Sequence, residues 1–295
     1  DLTRRALLGI LKYPAPHSRV RRTEQPQPPE RPREMNRENW EPPKCYFDED
    51  QEIVSWILGP LEAEDRETFQ SLRKEPSSAK NGKTANKSLD ASIMDIADDI
   101  AYGVHDLEDA IKLDLVSEED LTETLEENTD PQWGQQIDLS EPEDLAGRLA
   151  DTGTRKKAVG ELVHAFILSV HLERQGQFGS PLLDWTAALS EPAEDLLEAL
   201  DELKVDQVID KATAQQMEYR GRLLIVRLFG ALSSDPERLL KSWHWEQYKR
   251  HDEAGDEQAA HRVICDYIAG MTDEYATEVY ERLFVPHNGR VSAAR

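Results

Sequence analysis

The stretch from Leu89 to Leu115 constrains this chain more than any other. Ile93, Met94, Ile96, Ala97, Ile100, Ala101, Val104, Leu107, Ala110 and Ile111 recur at spacings of three and four, the period that gathers apolar side chains on a helix. The apolar arc is wide, so the pattern predicts a helix over 89–115 largely surrounded by protein. That helix also carries Asp95, Asp98, Asp99, Asp106, Glu108 and Asp109. Burying an unpaired carboxylate is costly, so an acid on a protein-facing stripe is usually paired, neutralised or metal-bound. Asp98, Tyr102, His105 or Asp106, and Asp109 follow one another at three or four and share one face. A carboxylate, a phenol one turn on and a second carboxylate two turns on can hold a metal and the sugar of a ligand. For any single one of these aspartates a solvated acidic stripe is the simpler account, and the apolar Ala97, Ile100, Ala101 and Val104 on the flanks weaken it.

The rest of the chain also reads as helical. Leu2, Leu7, Leu8 and Leu11 predict a helix that Pro14 must end, because proline lacks the N–H and disfavours helix in the residue before it. Residues 14–43 read as an irregular segment rich in Pro and Arg. A further helix runs from Asp48 to the stop at Gly59-Pro60. Residues 75–87 form a polar, basic loop. After a helix start at Ser117, amphipathic helices are separated by turns at Gly153, Gly176 to Pro181, Pro192 and Ser233 to Pro236, with 156–174 and 196–230 the clearest. No strand and no repeat of fixed period is expected, and the class is all-α.

Charge is unevenly placed. The 295 residues carry a net charge of −24, yet residues 1–44 hold 10 Lys and Arg against 6 Asp and Glu. The overall acidity argues against a surface devoted to nucleic-acid phosphates, while leaving room for a local basic cleft. No apolar run is long enough to span a membrane. Cys45 and Cys265 supply neither a disulfide framework nor a paired-thiolate metal site, which suits a reducing cytoplasm. There is no Gly-x-Ser-x-Gly and no phosphate loop of the Gly-x-x-x-x-Gly-Lys type. Histidines give a weak signal: His105-Asp106 diverge on a straight helix, His164 and His171 stand two helical turns apart, and His244, His251 and His261 lack metal-motif spacing.

Three segments nevertheless resemble a known family. Ser88 to Asp109, read as Ser-Leu-Asp-Ala-Ser-Ile-Met-Asp-Ile-Ala-Asp-Asp-Ile-Ala-Tyr-Gly-Val-His-Asp-Leu-Glu-Asp, is similar to the signature helix of the deoxyguanosine triphosphate triphosphohydrolase-like branch of the HD-domain superfamily. Leu2-Thr3-Arg4 with Lys12-Tyr13-Pro14, and Asp266-Tyr-Ile-Ala-Gly-Met-Thr-Asp273, resemble two further motifs of that family, in family order. The resemblance implies an all-α, HD-domain-type fold. Residues 1–116 would form the C-terminal part of the catalytic core, including the Pro/Arg-rich loop 14–47 and the acidic helix, and 117–295 a helical region packed on it.

The resemblance also implies roles. Asp98 matches the distal metal aspartate, Tyr102 the tyrosine packed on the deoxyribose and Asp106 the acid that binds the 3′-hydroxyl; His105 is thereby set aside. Lys12, Tyr13 and Lys44 match positions at the triphosphate, and Arg262 is a further phosphate candidate. The implied reaction is hydrolysis of a deoxynucleoside triphosphate, with dGTP the expected substrate, to deoxynucleoside and inorganic triphosphate. The implied cofactor is a divalent metal, Mn²⁺, Mg²⁺ or another transition metal. Homohexamers and dNTP or single-stranded DNA effectors occur in the family, and roles in dNTP-pool control or phage defence follow by analogy. The family's metal-binding His and His-Asp pair and its catalytic histidine lie upstream of the Leu-Thr-Arg motif. This sequence opens at Asp1-Leu2-Thr3, so the expectation is a C-terminal portion with no catalytic residue of its own. The alternative is a non-catalytic dNTP-binding regulatory or assembly subunit.

Overall fold

The computed structural model describes residues 2–27, 40–204 and 212–286. The chain divides by its contacts near residue 210 into two units, each built around its own core.

In the first unit, α1 (Arg4–Ile10) starts where Thr3 Oγ1 accepts the Ala6 N–H at 3.2 Å, a side-chain cap on an otherwise orphan donor. A single turn, α2 (His17–Val20), follows the prolines. After a 3-10 turn at Asp48–Asp50 come α3 (Gln51–Leu58) and α4 (Ala63–Phe69). A short hairpin, β1 (Leu72–Lys74) with β2 (Lys83–Thr84), leads into α5 (Leu89–Lys112). Helices α6 (Glu118–Asn128), α7 (Pro131–Gln136), α8 (Pro142–Ala150) and α9 (Arg155–Leu168) then wrap the far end of α5. Strand β3 (Val170–Arg174), the turn α10 (Pro181–Asp184), strand β4 (Trp185–Leu189) and α11 (Glu191–Lys204) complete the unit.

Helix α5 organises this core. Ile100, Val104, Leu107, Ala110 and Ile111 join Leu121, Leu125, Leu145, Leu162, Phe166 and Leu196 in one buried cluster. Gly103 lets α11 approach: a methyl there would stand 2.5 Å from Leu197 Cδ1. A second cluster, with Leu8, Tyr46, Ile57, Leu58, Phe69 and Leu183, holds α1, α3 and α4 together. The second unit comprises α12 (Ala212–Ser234), α13 (Pro236–Leu239), α14 (Ser242–Glu253), α15 (Glu257–Ala269) and α16 (Asp273–Phe284), with Leu228, Leu232, Ile264 and Val279 in its core.

The all-α expectation stands, and several details change. Two small antiparallel sheets occur where none was expected. The helix expected over 156–174 stops at Leu168, because 170–174 pairs in register with 185–189, Leu172 facing Ala187. A helical period cannot reveal a strand whose partner lies a turn downstream. His171 therefore sits on β3, 2.9 Å from Glu173 Oε1, and not on one helix face with His164. The helix expected over 196–230 appears as α11 and α12, with 205–211 outside the described residues. The segment read as irregular from 14 to 43 contains α2, and its residues 28–39 lie outside the described residues. The first core cluster draws its buried residues from Ile100 to Leu200.

The largest correction concerns α5. Among the described residues nothing covers its opposite face: Tyr102 is 62% exposed, and Ile93, Met94, Ala97 and Ala101 are exposed with it. Asp98, Asp99 and Asp106 keep their water on that face, so no burial penalty arises there. No described helix is long and apolar enough to cross a membrane.

Candidate polyanion site

Two distant segments are brought together beside the start of α5. Residues 15–17 and 46 pair as an isolated parallel bridge, with His17 N donating to Tyr46 O at 2.8 Å and Tyr46 N to Ala15 O at 3.1 Å. This bridge sets Lys44 beside Lys12 and Tyr13, each ammonium 5.7 Å from the Tyr13 ring centre. The hairpin is stitched on from the other side. Asn81 accepts from Arg22 N and donates to Glu41 O, both at 2.9 Å, and Gly82 N donates to Val20 O at 2.7 Å. Gly82 is needed for closeness, since a Cβ would meet Lys74 O at 3.0 Å.

The frame beneath is held by side-chain contacts between α1 and α5. Ser88 caps α5 and donates to Leu8 O at 3.1 Å, while the Arg5 guanidinium grips both Asp90 oxygens at 2.8 and 2.9 Å. That guanidinium pulls the Asp90 carboxyl below its ordinary pKa.

Between these elements lies a cavity of about 1210 Å³. Eight Lys and Arg side chains and three carboxylates line it. Lys12 and Lys44 come from the bridged segments; Arg73, Lys74, Lys83 and Lys87 come from the hairpin and its exit; Arg22 and Lys80 complete the cations. In a chain of net charge −24 this is a local positive well, the arrangement that concentrates polyanions. Burial, with help from Lys12, Arg73 and Lys44, pushes the Lys87 pKa down, and Asp99 opposes the shift. Asp95 and Asp99 enter from α5, and Gln175 and Thr186 from the β3–β4 side.

Of the residues singled out by sequence, the structure gathers Lys12, Tyr13 and Lys44 in this cavity. Asp98, Tyr102 and Asp106 lie along the exposed face of the same helix and do not line the cavity. Helical rise places Tyr102 and Asp106 about 10 and 16 Å further along the axis than Asp95. Arg262 lies on α15 in the second unit, ion-paired with Asp266 at 2.8 Å. His105 faces Glu108 at 3.7 Å. Cys45 and Cys265 are both free thiols. Asp95 was named by sequence only as one acid of the helix; Lys80, Lys83 and Lys87 were visible only in the basic composition of 75–87, and Arg73 and Lys74 lie outside that segment. Gln175 and Thr186 had none, because only the β3–β4 pairing delivers them.

The described residues do not by themselves fit a divalent metal. No three His, Cys, Asp or Glu side chains among them converge, and Asp98 supplies a single exposed carboxylate.

The first unit is thus a helical body that carries a cationic cavity. Residues 187–282, from β4 to α16, match the model of the phosphohydrolase-associated domain. A deoxyguanosinetriphosphate triphosphohydrolase-like protein of Shewanella halifaxensis is 41% identical over 98% of this chain, and one of Aliivibrio fischeri is 40% identical over 97%. In both cases the match spans 65% of the relative's length. The chain belongs to the deoxyguanosinetriphosphate triphosphohydrolase-like family.

Proposed function

We propose that this chain holds the triphosphate and sugar of a deoxynucleoside triphosphate, as part of an enzyme that hydrolyses it to deoxynucleoside and inorganic triphosphate. The observation that carries the proposal is the cationic cavity at the N-terminal end of α5. The relatives named above are called deoxyguanosinetriphosphate triphosphohydrolase-like, which makes dGTP the first substrate to test.

Lys12 and Lys44 neutralise phosphate oxygens, with Tyr13 between them. A nucleotide with its phosphates near Asp95 runs its sugar along α5 towards Tyr102 and Asp106. There the phenol packs on the deoxyribose and the carboxylate accepts a hydrogen bond from the 3′-hydroxyl. Water attacks the α-phosphorus and the 5′-oxygen leaves, carrying the negative charge until it is protonated. Asp98 is proposed as one ligand of a divalent ion whose other ligands come from outside the described residues.

The lone carboxylate at Asp98 favours a second reading, a subunit that binds dNTPs without cleaving them. One experiment separates the two. The intact protein is given each of the four dNTPs with Mn²⁺ or Mg²⁺, and both nucleotide binding and release of inorganic triphosphate are measured. Hydrolysis that disappears in Asp98→Ala supports the enzyme; binding without hydrolysis supports the second reading. Removing a charged hydrogen-bond partner costs about 1.5 to 3 kcal/mol, so Lys12→Met and Lys44→Met should each weaken binding about tenfold or more. Unchanged binding in both variants refutes the site.

A further inference from the structure

We propose that Asp95 is a positioning residue for polyphosphate binding: its two carboxylate oxygens hold Lys12 and Lys87 side by side on the cavity wall as one paired donor. This inference rests on the polyphosphate reading of the cavity. The Lys12 ammonium meets Asp95 Oδ1 and the Lys87 ammonium meets Oδ2. The Asp95 side chain is only 14% exposed, against 24% for Lys12 and 40% for Lys87. Asp95 is thus the most enclosed of the three, and all three line the cavity.

The three residues come from separate places in the chain. Lys12 follows the end of α1, Lys87 precedes the Ser88 cap, and Asp95 lies two turns inside α5. The Ser88–Leu8 and Arg5–Asp90 contacts lock those backbones together, so the carboxylate is presented to both lysines by the fold. Two ammonium groups gathered at one site repel each other, and each disfavours the charged form of its neighbour. A carboxylate between them removes that repulsion. An ammonium has three N–H donors; the one turned to Asp95 leaves two for phosphate oxygens.

The groups facing Lys87 are Lys12, Lys44 and Arg73 on the positive side and Asp95 and Asp99 on the negative side. Burial and the surrounding cations already push its pKa down. With Asp95 neutralised, Lys87 would lose its closest counter-charge and shed its proton at lower pH. The rival account makes Asp95 a plain competitor whose negative charge repels phosphate. The two accounts predict opposite signs for Asp95→Asn.

The test is calorimetric titration of the intact protein with inorganic triphosphate, at constant ionic strength, at about pH 7 and about pH 9. Asp95→Asn should weaken binding about tenfold at the lower pH, the scale of a charge-assisted hydrogen bond, and by more at the higher pH. Lys87→Met should weaken it comparably, and Asp95→Asn should add little in the Lys87→Met background, because coupled residues are not additive. Equal or tighter binding by Asp95→Asn at both pH values overturns the proposal. If circular dichroism shows that Asp95→Asn has lost its helices, the Lys12→Met/Lys87→Met cycle decides instead: coupled losses support the clamp and additive losses overturn it. Absence of triphosphate binding by the unsubstituted protein overturns the polyphosphate reading and this inference together. Binding that Asp95→Asn leaves unchanged overturns the role of Asp95 alone.

Discussion

Ser92→Ala should loosen the wall of the cationic cavity from behind. Ser92 faces inward from α5, 5% exposed, and its hydroxyl accepts the Ala187 N–H of β4 at 2.8 Å while donating to Leu89 O at 2.8 Å. Ala187 faces Leu172 across the sheet, and its N–H is directed at α5. Removing the hydroxyl leaves that N–H buried and unpaired, which costs about 1 to 3 kcal/mol. Alanine's better helix propensity returns about 0.5 kcal/mol. The net loss is therefore about 0.5 to 2.5 kcal/mol, local to the α5–β4 contact. Hydrogen exchange at the Ala187 amide reads it directly, since each 1.4 kcal/mol of opening energy is about a tenfold rate change. Thr186, the preceding residue, lines the cavity, so inorganic triphosphate should also bind less tightly. Ser55→Ala is the control, because the Ser55 hydroxyl bonds only within α3 on an exposed surface. An Ala187 amide as protected in Ser92→Ala as in the unsubstituted chain would show that the N–H is satisfied otherwise, and would refute the reasoning.

Two further predictions follow from buried contacts in the first unit. Asp184 is held below the ordinary aspartate pKa by the Arg174 guanidinium at 2.6 Å, and by backbone N–H groups including that of Phe178. A depressed carboxylate stabilises fully above its unfolded pKa, about 3.9, and that stability is lost as pH falls through the lower folded value. Asp184→Asn should therefore lower stability at neutral pH and flatten the acid limb of a denaturation-versus-pH series; parallel limbs would count against it. Gly103→Val should destabilise by about 2 kcal/mol or more, since even a Cβ would stand 2.5 Å from Leu197 Cδ1. Leu197→Ala should recover part of that loss in the double variant, and a urea midpoint shift that is the sum of the two single losses would exclude the contact.

The acidic helix shows how far local pattern reaches. Its existence over 89–115 and the shared face of Asp98, Tyr102 and Asp106 follow from three- and four-residue spacing. Which side of it would be buried did not, because a wide apolar arc is compatible with neighbours all round. The neighbours cover Ile100, Val104 and Leu107 and leave Ile93, Met94 and Tyr102 in solvent. Lys12 and Tyr13 were legible through motif resemblance, Lys87 was visible only as basic composition, and Arg73 lay outside both basic segments.

The sequence by itself determined the helical class, the family, the acidic face and the presence of a basic segment in an acidic chain, because these are properties of neighbours in the chain. The tertiary structure alone decided where the basic segment's charge converges. The parallel bridge at Pro16 and Tyr46 carries Lys44 to Lys12, the Asn81 and Gly82 bonds fold the hairpin over them, and Asp95 ties Lys12 to Lys87. The contacts that close the cavity join residues tens of positions apart, and no period within a single segment encodes them.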